Sequence, residues 1–224
     1  MRFKLGAYGE LVPLAISGLT QPKRHDSLGF IEAFLHATRE EPVACWIIGP
    51  GGYSYHLTKP RADGTQEIAR HIQNFSGRKP REHIELKTLL EQSGKRHELH
   101  VVELSPKNLE FARTTMTQER KLDASNVSYR LGNIAETLPR GEPHVISCHN
   151  VLFYMSPQQA NRTLEKLLRR LQPGGLLAIS TNDEETIGRQ TLEKTVGNRA
   201  EIKRRGNSVV ISKKQPGNRK ERAK

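Results

Sequence analysis

The sequence is poor in cysteine, in aromatic residues and in the histidine spacings that bind metals. Its only cysteines, Cys45 and Cys148, lie inside apolar runs, so it has no disulfide framework and no CxxC zinc motif. Both are expected to pack as small hydrophobic side chains. The nine histidines form no HExxH-like pattern. Aromatic residues make up 5% of the chain, which argues against a stacking platform for single-stranded nucleic acid.

Long apolar segments are also lacking. No run approaches the length of a membrane-spanning helix. The apolar stretch within residues 1–20 is interrupted by Glu10 and has no clear cleavage site, which argues against a signal peptide. We therefore expect a cytoplasmic protein. With 224 residues, the chain is long enough for one well-buried α/β domain.

Positive charge is in excess, with 36 Lys and Arg against 24 Asp and Glu, for a net charge of +12. Residues 213–224 hold six of the basic residues and one Glu, and they contain almost no apolar side chain. This composition predicts a basic, disordered tail. Such a tail is compatible with RNA binding through phosphate contacts. The rest of the chain lacks a basic stretch interleaved with aromatics, so a small-molecule or protein partner is favoured, with RNA as the alternative.

Short apolar runs alternate with helical patterns, which is typical of a parallel sheet covered by helices on both faces. Two β-rich runs then flank residues 204–207 and predict a C-terminal antiparallel hairpin. The sequence thus predicts an α/β fold with one Rossmann-like domain over residues 43–212. The expected strands are 43–49, 99–104, 127–131, 145–148 and 176–180, followed by a hairpin of 200–203 and 209–212.

Helix signals occupy the intervening segments. Ser27 is expected to cap a helix within an N-terminal extension over residues 1–42, with a shared apolar face of Phe30, Ile31, Phe34 and Leu35. The crossover after the first strand is about twice the usual length, with an insertion around residues 53–98. Apolar spacing there predicts helices near 68–75 and 84–90. Ser105-Pro106 and Ser156-Pro157 are typical helix starts.

Residues suited to ligand binding follow the strands, where ligands bind in open parallel sheets. A glycine-rich turn after the first strand, at Gly49, Gly51 and Gly52, allows close backbone approach to a ligand. Glu103 ends the second strand, where an acid can accept hydrogen bonds from a ribose diol. After the third strand, an Asn side chain and an apolar neighbour could read and cover an adenine (Asn133 and Ile134). The alternative for the glycine-rich segment is a simple turn without a ligand, and the alternative for Glu103 is a surface carboxylate at a strand end.

The loop after the fourth strand reads CHNVLFYM over residues 148–155. It resembles the loop CRNVLIYF in the catalytic domain of chemoreceptor glutamate methyltransferases. The order of these motifs over residues 43–212 is similar to that of class I S-adenosylmethionine (SAM)-dependent methyltransferases. The resemblance implies SAM as cofactor and methyl transfer to an unidentified acceptor. It implies a catalytic role beside the methyl group for Asn150 and Tyr154, and a cofactor site made of Gly49, Gly51, Gly52, Glu103, Leu104, Asn133, Ile134 and Asn150.

The chain also departs from that family pattern. Ile47 stands where the family carries an acid, Tyr53 where it has a third glycine, and His149 where it has an arginine. Because of these departures, the alternative interpretation stays open: a non-catalytic domain of this fold that binds a nucleotide or a protein. An NAD-linked enzyme is disfavoured because a full GxGxxG is absent. Tyr154 could contact the acceptor or the sulfonium, or pack under its loop, and His149 could be a base or structural.

Overall fold

A computed structural model describes residues 26–50, 54–60, 66–73, 82–119 and 122–215. The strands are β1 (Val43–Ile48), β2 (Ser54–Pro60), β3 (Gln66–Gln73), β4 (His97–Glu103), β5 (Val127–Leu131), β6 (Val145–Cys148), β7 (Leu176–Ser180), β8 (Ala200–Arg205) and β9 (Ser208–Lys213). The α-helices are α1 (Ser27–Ala37), α2 (Glu82–Gln92), α3 (Pro106–Thr114), α4 (Pro157–Arg170), α5 (Thr181–Ile187) and α6 (Arg189–Val196).

Seven strands form one sheet in the order β5-β4-β1-β6-β7-β9-β8. The first five in this order are parallel to one another, and β9 pairs antiparallel with both β7 and β8. This architecture confirms the predicted α/β fold with its C-terminal hairpin.

Helices cover both faces of the sheet, and β1 shows why. Successive side chains of a strand point to opposite faces. Cys45 and Ile47 pack in the cluster that α1 and α2 complete, whereas Trp46 and Ile48 pack in the cluster that α4, α5 and α6 complete. A strand buried on both faces therefore reads as one continuous apolar run in the sequence.

The start of α1 differs from the prediction. Asp26, rather than Ser27, occupies the N-cap position, and it makes no side-chain cap bond. Its Oδ2 instead accepts a hydrogen bond from the backbone N of Asn207, 3.2 Å away in the C-terminal hairpin. The buried side chains of the helix include Leu28, Ile31 and Leu35, while Phe30 and Phe34 are half-buried.

The predicted helix near 68–75 is wrong, because residues 66–73 form β3. This strand pairs antiparallel with β2 in a separate two-stranded sheet, with a register shift between Leu57 and Thr58. Ile68 and Ile72 are spaced by four residues, which fits one face of a helix and also one face of a strand. The pairing with β2 decides between them. The second predicted helix of this insertion is confirmed as α2.

The predicted helix starts are confirmed at Ser105 and Ser156, whose hydroxyls accept from the backbone N of residues 108 and 159. Strand β9 extends through Lys213, one residue into the predicted tail, and residues 216–224 of that tail lie outside the described residues. Within the described ranges, none of the helices combines the length and apolar character needed to span a membrane.

Candidate active site

The carboxyl ends of four neighbouring strands form one continuous edge in the order β5, β4, β1, β6. Backbone hydrogen bonds join the loops along it. The N–H of Gly49 donates to the carbonyl oxygen of Val102 at 2.8 Å, and the N–H of Gly132 donates to that of Glu103 at 3.0 Å. The structure thus brings together the loops that the sequence predicts to form a ligand site.

Gly49 is constrained by both its backbone and its neighbour. Its φ is +61°, in the left-handed region that favours glycine. A Cβ built here would lie 2.6 Å from Cγ2 of Val151, in the loop after β6. The first loop and the fourth loop are therefore packed against each other at this point. Gly51, Gly52 and Tyr53 lie outside the described residues, and Ile47 is fully buried in the core.

Glu103 is a buried acid at the end of β4, only 7% exposed. Its Oε1 accepts hydrogen bonds from the backbone N of Leu104 at 2.8 Å and of Ser105 at 3.0 Å. Burial raises the pKa of this carboxyl above its usual value, and the two backbone bonds and the Asn108 side chain oppose that rise. Glu103 is therefore not a surface carboxylate, which was the alternative interpretation.

Two exposed apolar side chains flank this acid. Leu104 is 68% exposed and Leu131 is 51% exposed. Leu131 is the register partner of Glu103 across the parallel strands β4 and β5. An acceptor carboxylate beside two solvent-facing aliphatic surfaces suits the ribose and the flat base of an adenosyl group. The described part of the site therefore fits the adenosyl portion of SAM.

The loop after β5 is held by its own contacts. Oδ1 of Asn133 accepts from the backbone N of Ala135 at 3.0 Å, and its Nδ2 donates to Oε1 of Glu136 at 3.0 Å. Ile134 is buried in the core. Lys166 of α4 donates to the carbonyl oxygen of Ala135. Both ends of the Asn133 amide thus have partners within this turn, and the adenine contacts of Asn133 and Ile134 stay predictions.

The loop after β6 carries the two predicted catalytic side chains. Asn150 has a φ of +56°, uncommon for a residue other than glycine, and its Oδ1 accepts from Nδ2 of Asn182 at 2.9 Å. Tyr154 ends a 3-10 turn over Leu152–Tyr154 and is 41% exposed. The Tyr154 ring lies 4.6 Å from that of Phe153. Both predicted residues are therefore at the edge of the sheet, in one short loop.

His149 precedes Asn150 and is buried. Its Nε2 lies 3.2 Å from Oγ of Ser27, and its Nδ1 lies 3.2 Å from Oγ of Ser147. The imidazole thus links α1 to β6 through two hydroxyl groups. These contacts favour the structural role for His149 over that of a base.

Asp183, in the first turn of α5, was not singled out by the sequence analysis. It is fully buried, and its carboxylate accepts hydrogen bonds from the backbone N of Asn150, Phe153 and Ser180 and from Oγ of Ser180. Burial raises its pKa, and these hydrogen bonds oppose the rise. The spacing Ser180-x-x-Asp183 after an apolar strand is a capping-box signal that could have identified the helix start.

Comparisons with known proteins agree with this arrangement. Residues 84–177 match the family model of a methyltransferase domain. An O-methyltransferase family protein from Burkholderia thailandensis shares the fold with a TM-score of 0.52 and 14% identity, covering 84% of this chain and 56% of that one. Magnesium protoporphyrin IX methyltransferase from Synechocystis PCC 6803, with bound SAM, has a TM-score of 0.51 and 16% identity. The match covers 85% of this chain and 78% of that one. A putative rRNA methylase from Clostridium thermocellum has a TM-score of 0.52 and 11% identity. The match covers 87% of this chain and 99% of that one.

This chain thus spans little more than half the length of the Burkholderia protein. None of the curated proteins matches its sequence. The structural likenesses, at identities of 11–16%, establish the fold, and the family match covers residues 84–177 of the 224. Residues 84–177 are therefore similar to a methyltransferase domain, and the chain shares the fold of solved methyltransferases.

Proposed function

We propose that this protein transfers a methyl group from SAM at the edge formed by β5, β4, β1 and β6. Glu103 and Leu104 would hold the ribose and adenine, with Asn133 and Ile134 beside the adenine. Gly49, Gly51 and Gly52 would approach the methionine end, and Asn150 and Tyr154 would flank the methyl group. The observation that carries this proposal is the buried Glu103 carboxylate between the exposed side chains of Leu104 and Leu131.

The bound cofactor supplies an activated methyl group on a positively charged sulfur, so the protein's task is mainly to bind and align. Glu103 would accept hydrogen bonds from the ribose hydroxyls. Leu104 and Leu131 would shield the base from water. The Tyr154 ring could pack against the acceptor and the cation, because an aromatic face attracts positive charge. A dedicated base is required only for an acceptor that must first lose a proton.

The loop over residues 148–155 is similar to that of chemoreceptor glutamate methyltransferases. This finer likeness supports the roles proposed for Asn150 and Tyr154, and we do not extend it to a glutamyl acceptor. We favour a small molecule or a protein as acceptor. RNA is the alternative, supported by the basic residues 213–224 and by a putative rRNA methylase among the proteins of similar fold. The cytoplasmic location stays a prediction.

Calorimetric titration with S-adenosylhomocysteine, the demethylated product of SAM, tests the proposed site. We expect the full chain to bind one equivalent. E103Q removes the charge and one acceptor, and hydrogen bonds to charged groups contribute about 1.5–3 kcal/mol, so the affinity should fall about 10- to 100-fold. E98Q is the matched control, because Glu98 lies exposed on the same strand at its opposite end. Equal affinities of E103Q and E98Q would contradict the role of Glu103.

The acceptor class can be tested by RNA binding at two salt concentrations. An RNA acceptor predicts tight binding that weakens steeply with salt, with a smaller salt slope after deletion of residues 216–224, because fewer phosphate contacts release fewer counterions. A small-molecule or protein acceptor predicts weak RNA binding that the deletion leaves unchanged. Tight, tail-dependent binding would overturn the preference stated here.

A further inference from the structure

We propose that Asp183 is a positioning residue for the loop Asn150–Tyr154, and that its carboxylate fixes the backbone from which Asn150 and Tyr154 face the acceptor. The inference rests on the proposed function, which places these two side chains beside the methyl group. Asp183 itself is buried and makes its contacts from behind the loop. It is therefore not a catalytic residue in this proposal.

The carboxylate holds the loop at two points. Its Oδ2 accepts from the backbone N of Asn150 at 2.8 Å, and its Oδ1 accepts from the backbone N of Phe153 at 2.9 Å. Asn150 precedes the 3-10 turn over Leu152–Tyr154, and Phe153 is the middle residue of that turn. One carboxylate in α5 thus fixes the start of the loop relative to its 3-10 turn.

Helix capping alone does not account for these contacts. A capping box at α5 needs one carboxylate oxygen, which accepts from the backbone N of Ser180 at 2.9 Å. Oδ2 meets that need. Oδ1 has the Phe153 amide as its partner, and this amide is 30 residues away in sequence. The second oxygen therefore serves the loop and not the helix.

A carboxylate suits this place better than an amide. Four groups donate hydrogen bonds to the Asp183 carboxylate: the backbone N–H groups of Asn150, Phe153 and Ser180, and the hydroxyl of Ser180. An ionised carboxylate offers acceptors only. In D183N, the Nδ2 group would replace one oxygen and face an N–H donor in either orientation, so at least one loop amide would lose its partner.

Contacts from α5 support the conformation of Asn150. Its φ of +56° lies in the left-handed region, which asparagine adopts more readily than most residues with a Cβ. The Asp183 bond to its backbone N and the Asn182 bond to its side-chain Oδ1 are two such contacts from the first turn of α5. Both act on one residue, so α5 determines the direction of the Asn150 side chain.

Hydrogen exchange followed by mass spectrometry tests the inference on the full chain without requiring the acceptor. We expect D183N to raise exchange at least about tenfold in a peptide over residues 149–155. Protection in β4 and α4 should stay unchanged, and the affinity for S-adenosylhomocysteine should fall less than it does in E103Q, because Glu103 is untouched. S180A is the control for helix capping: it removes the capping hydroxyl, and with it the longer 3.3 Å bond from the backbone N of Asn150, but it keeps both Asp183 bonds to the loop. It should leave residues 149–155 within about threefold of wild type.

Each of the following results would overturn the proposal. One is unchanged exchange in residues 149–155 of D183N. Another is an equal rise throughout the D183N protein, or failure of this near-isosteric variant to fold, because either would assign Asp183 to global stability. The third is an S180A loop that exchanges as fast as that of D183N. Failure of the wild-type protein to bind S-adenosylhomocysteine would instead count against the proposed function, so the two outcomes are distinguishable.

Discussion

Replacing Gly49 with alanine tests how the first and fourth loops are packed together. The new Cβ would lie 2.6 Å from Cγ2 of Val151, far inside van der Waals contact, on a backbone with φ of +61°. The left-handed conformation costs a residue with a Cβ about 1–2 kcal/mol. Overpacking of a well-packed region adds about 1–3 kcal/mol. We therefore expect G49A to lower the free energy of unfolding by about 2–5 kcal/mol.

Gly94 provides the control for backbone strain. Its φ is +67°, close to that of Gly49, but a Cβ built on it meets nothing within 4 Å. G94A should therefore cost only the backbone term, about 1–2 kcal/mol. The difference between the two variants in urea unfolding measures the clash at the edge of the sheet.

Shortening Val151 should relieve that clash. Without its Cγ2, the nearest Val151 atom to the new Cβ is the Val151 Cβ at 3.8 Å, an ordinary contact. The double variant G49A/V151A should therefore be more stable than the sum of the two single changes predicts, by about 1–3 kcal/mol. If G49A costs no more than G94A, or if V151A gives no rescue, the packing of these two loops is not as described.

Further predictions concern Glu103, Leu104 and Lys87. Burial raises the pKa of Glu103, so its carboxylate loses its charge at a higher pH than an ordinary glutamate as the pH falls. The affinity for S-adenosylhomocysteine should fall as this carboxylate becomes protonated. Calorimetry at several pH values should show that the affinity of E103Q depends less on pH than that of the wild type. L104S should weaken the same binding by about 1–2 kcal/mol without loss of stability, because Leu104 is exposed before the ligand binds. Lys87 is buried and donates to Nε2 of His97 and Oδ1 of Asn126. K87A should therefore lower the free energy of unfolding by about 2–4 kcal/mol in denaturant titration, and wild-type stability would refute that role.

Local signals in the sequence predicted the parts of the fold that depend on them. The starts of α3 and α4 were predicted because a Ser cap followed by Pro acts within one helical turn. Buried parallel strands were predicted because both faces are covered, which leaves continuous apolar runs. The strand β3 was mistaken for a helix because its pairing with β2 is not local and its apolar spacing fits both periods.

The candidate site was predictable in position more than in detail. The place of Glu103 follows from the end of an apolar strand. The orientation of the Asn133 side-chain amide depends on its hydrogen bonds to Glu136 and Ala135, and the spacing of apolar residues in the sequence gives no information about it. The contact of Ser27 with His149 joins residues 122 positions apart. Asp183 was missed because its bonds to Asn150 and Phe153 are likewise tertiary, although its capping spacing was visible.

A crystal structure of the full chain with S-adenosylhomocysteine tests the central claim most directly. The account predicts the adenosyl group at the carboxyl ends of β4 and β5, with a ribose hydroxyl within hydrogen-bond distance of the Glu103 carboxylate and the base against Leu104. A ligand bound elsewhere on the chain, or one at this edge with its ribose out of reach of Glu103, would contradict it.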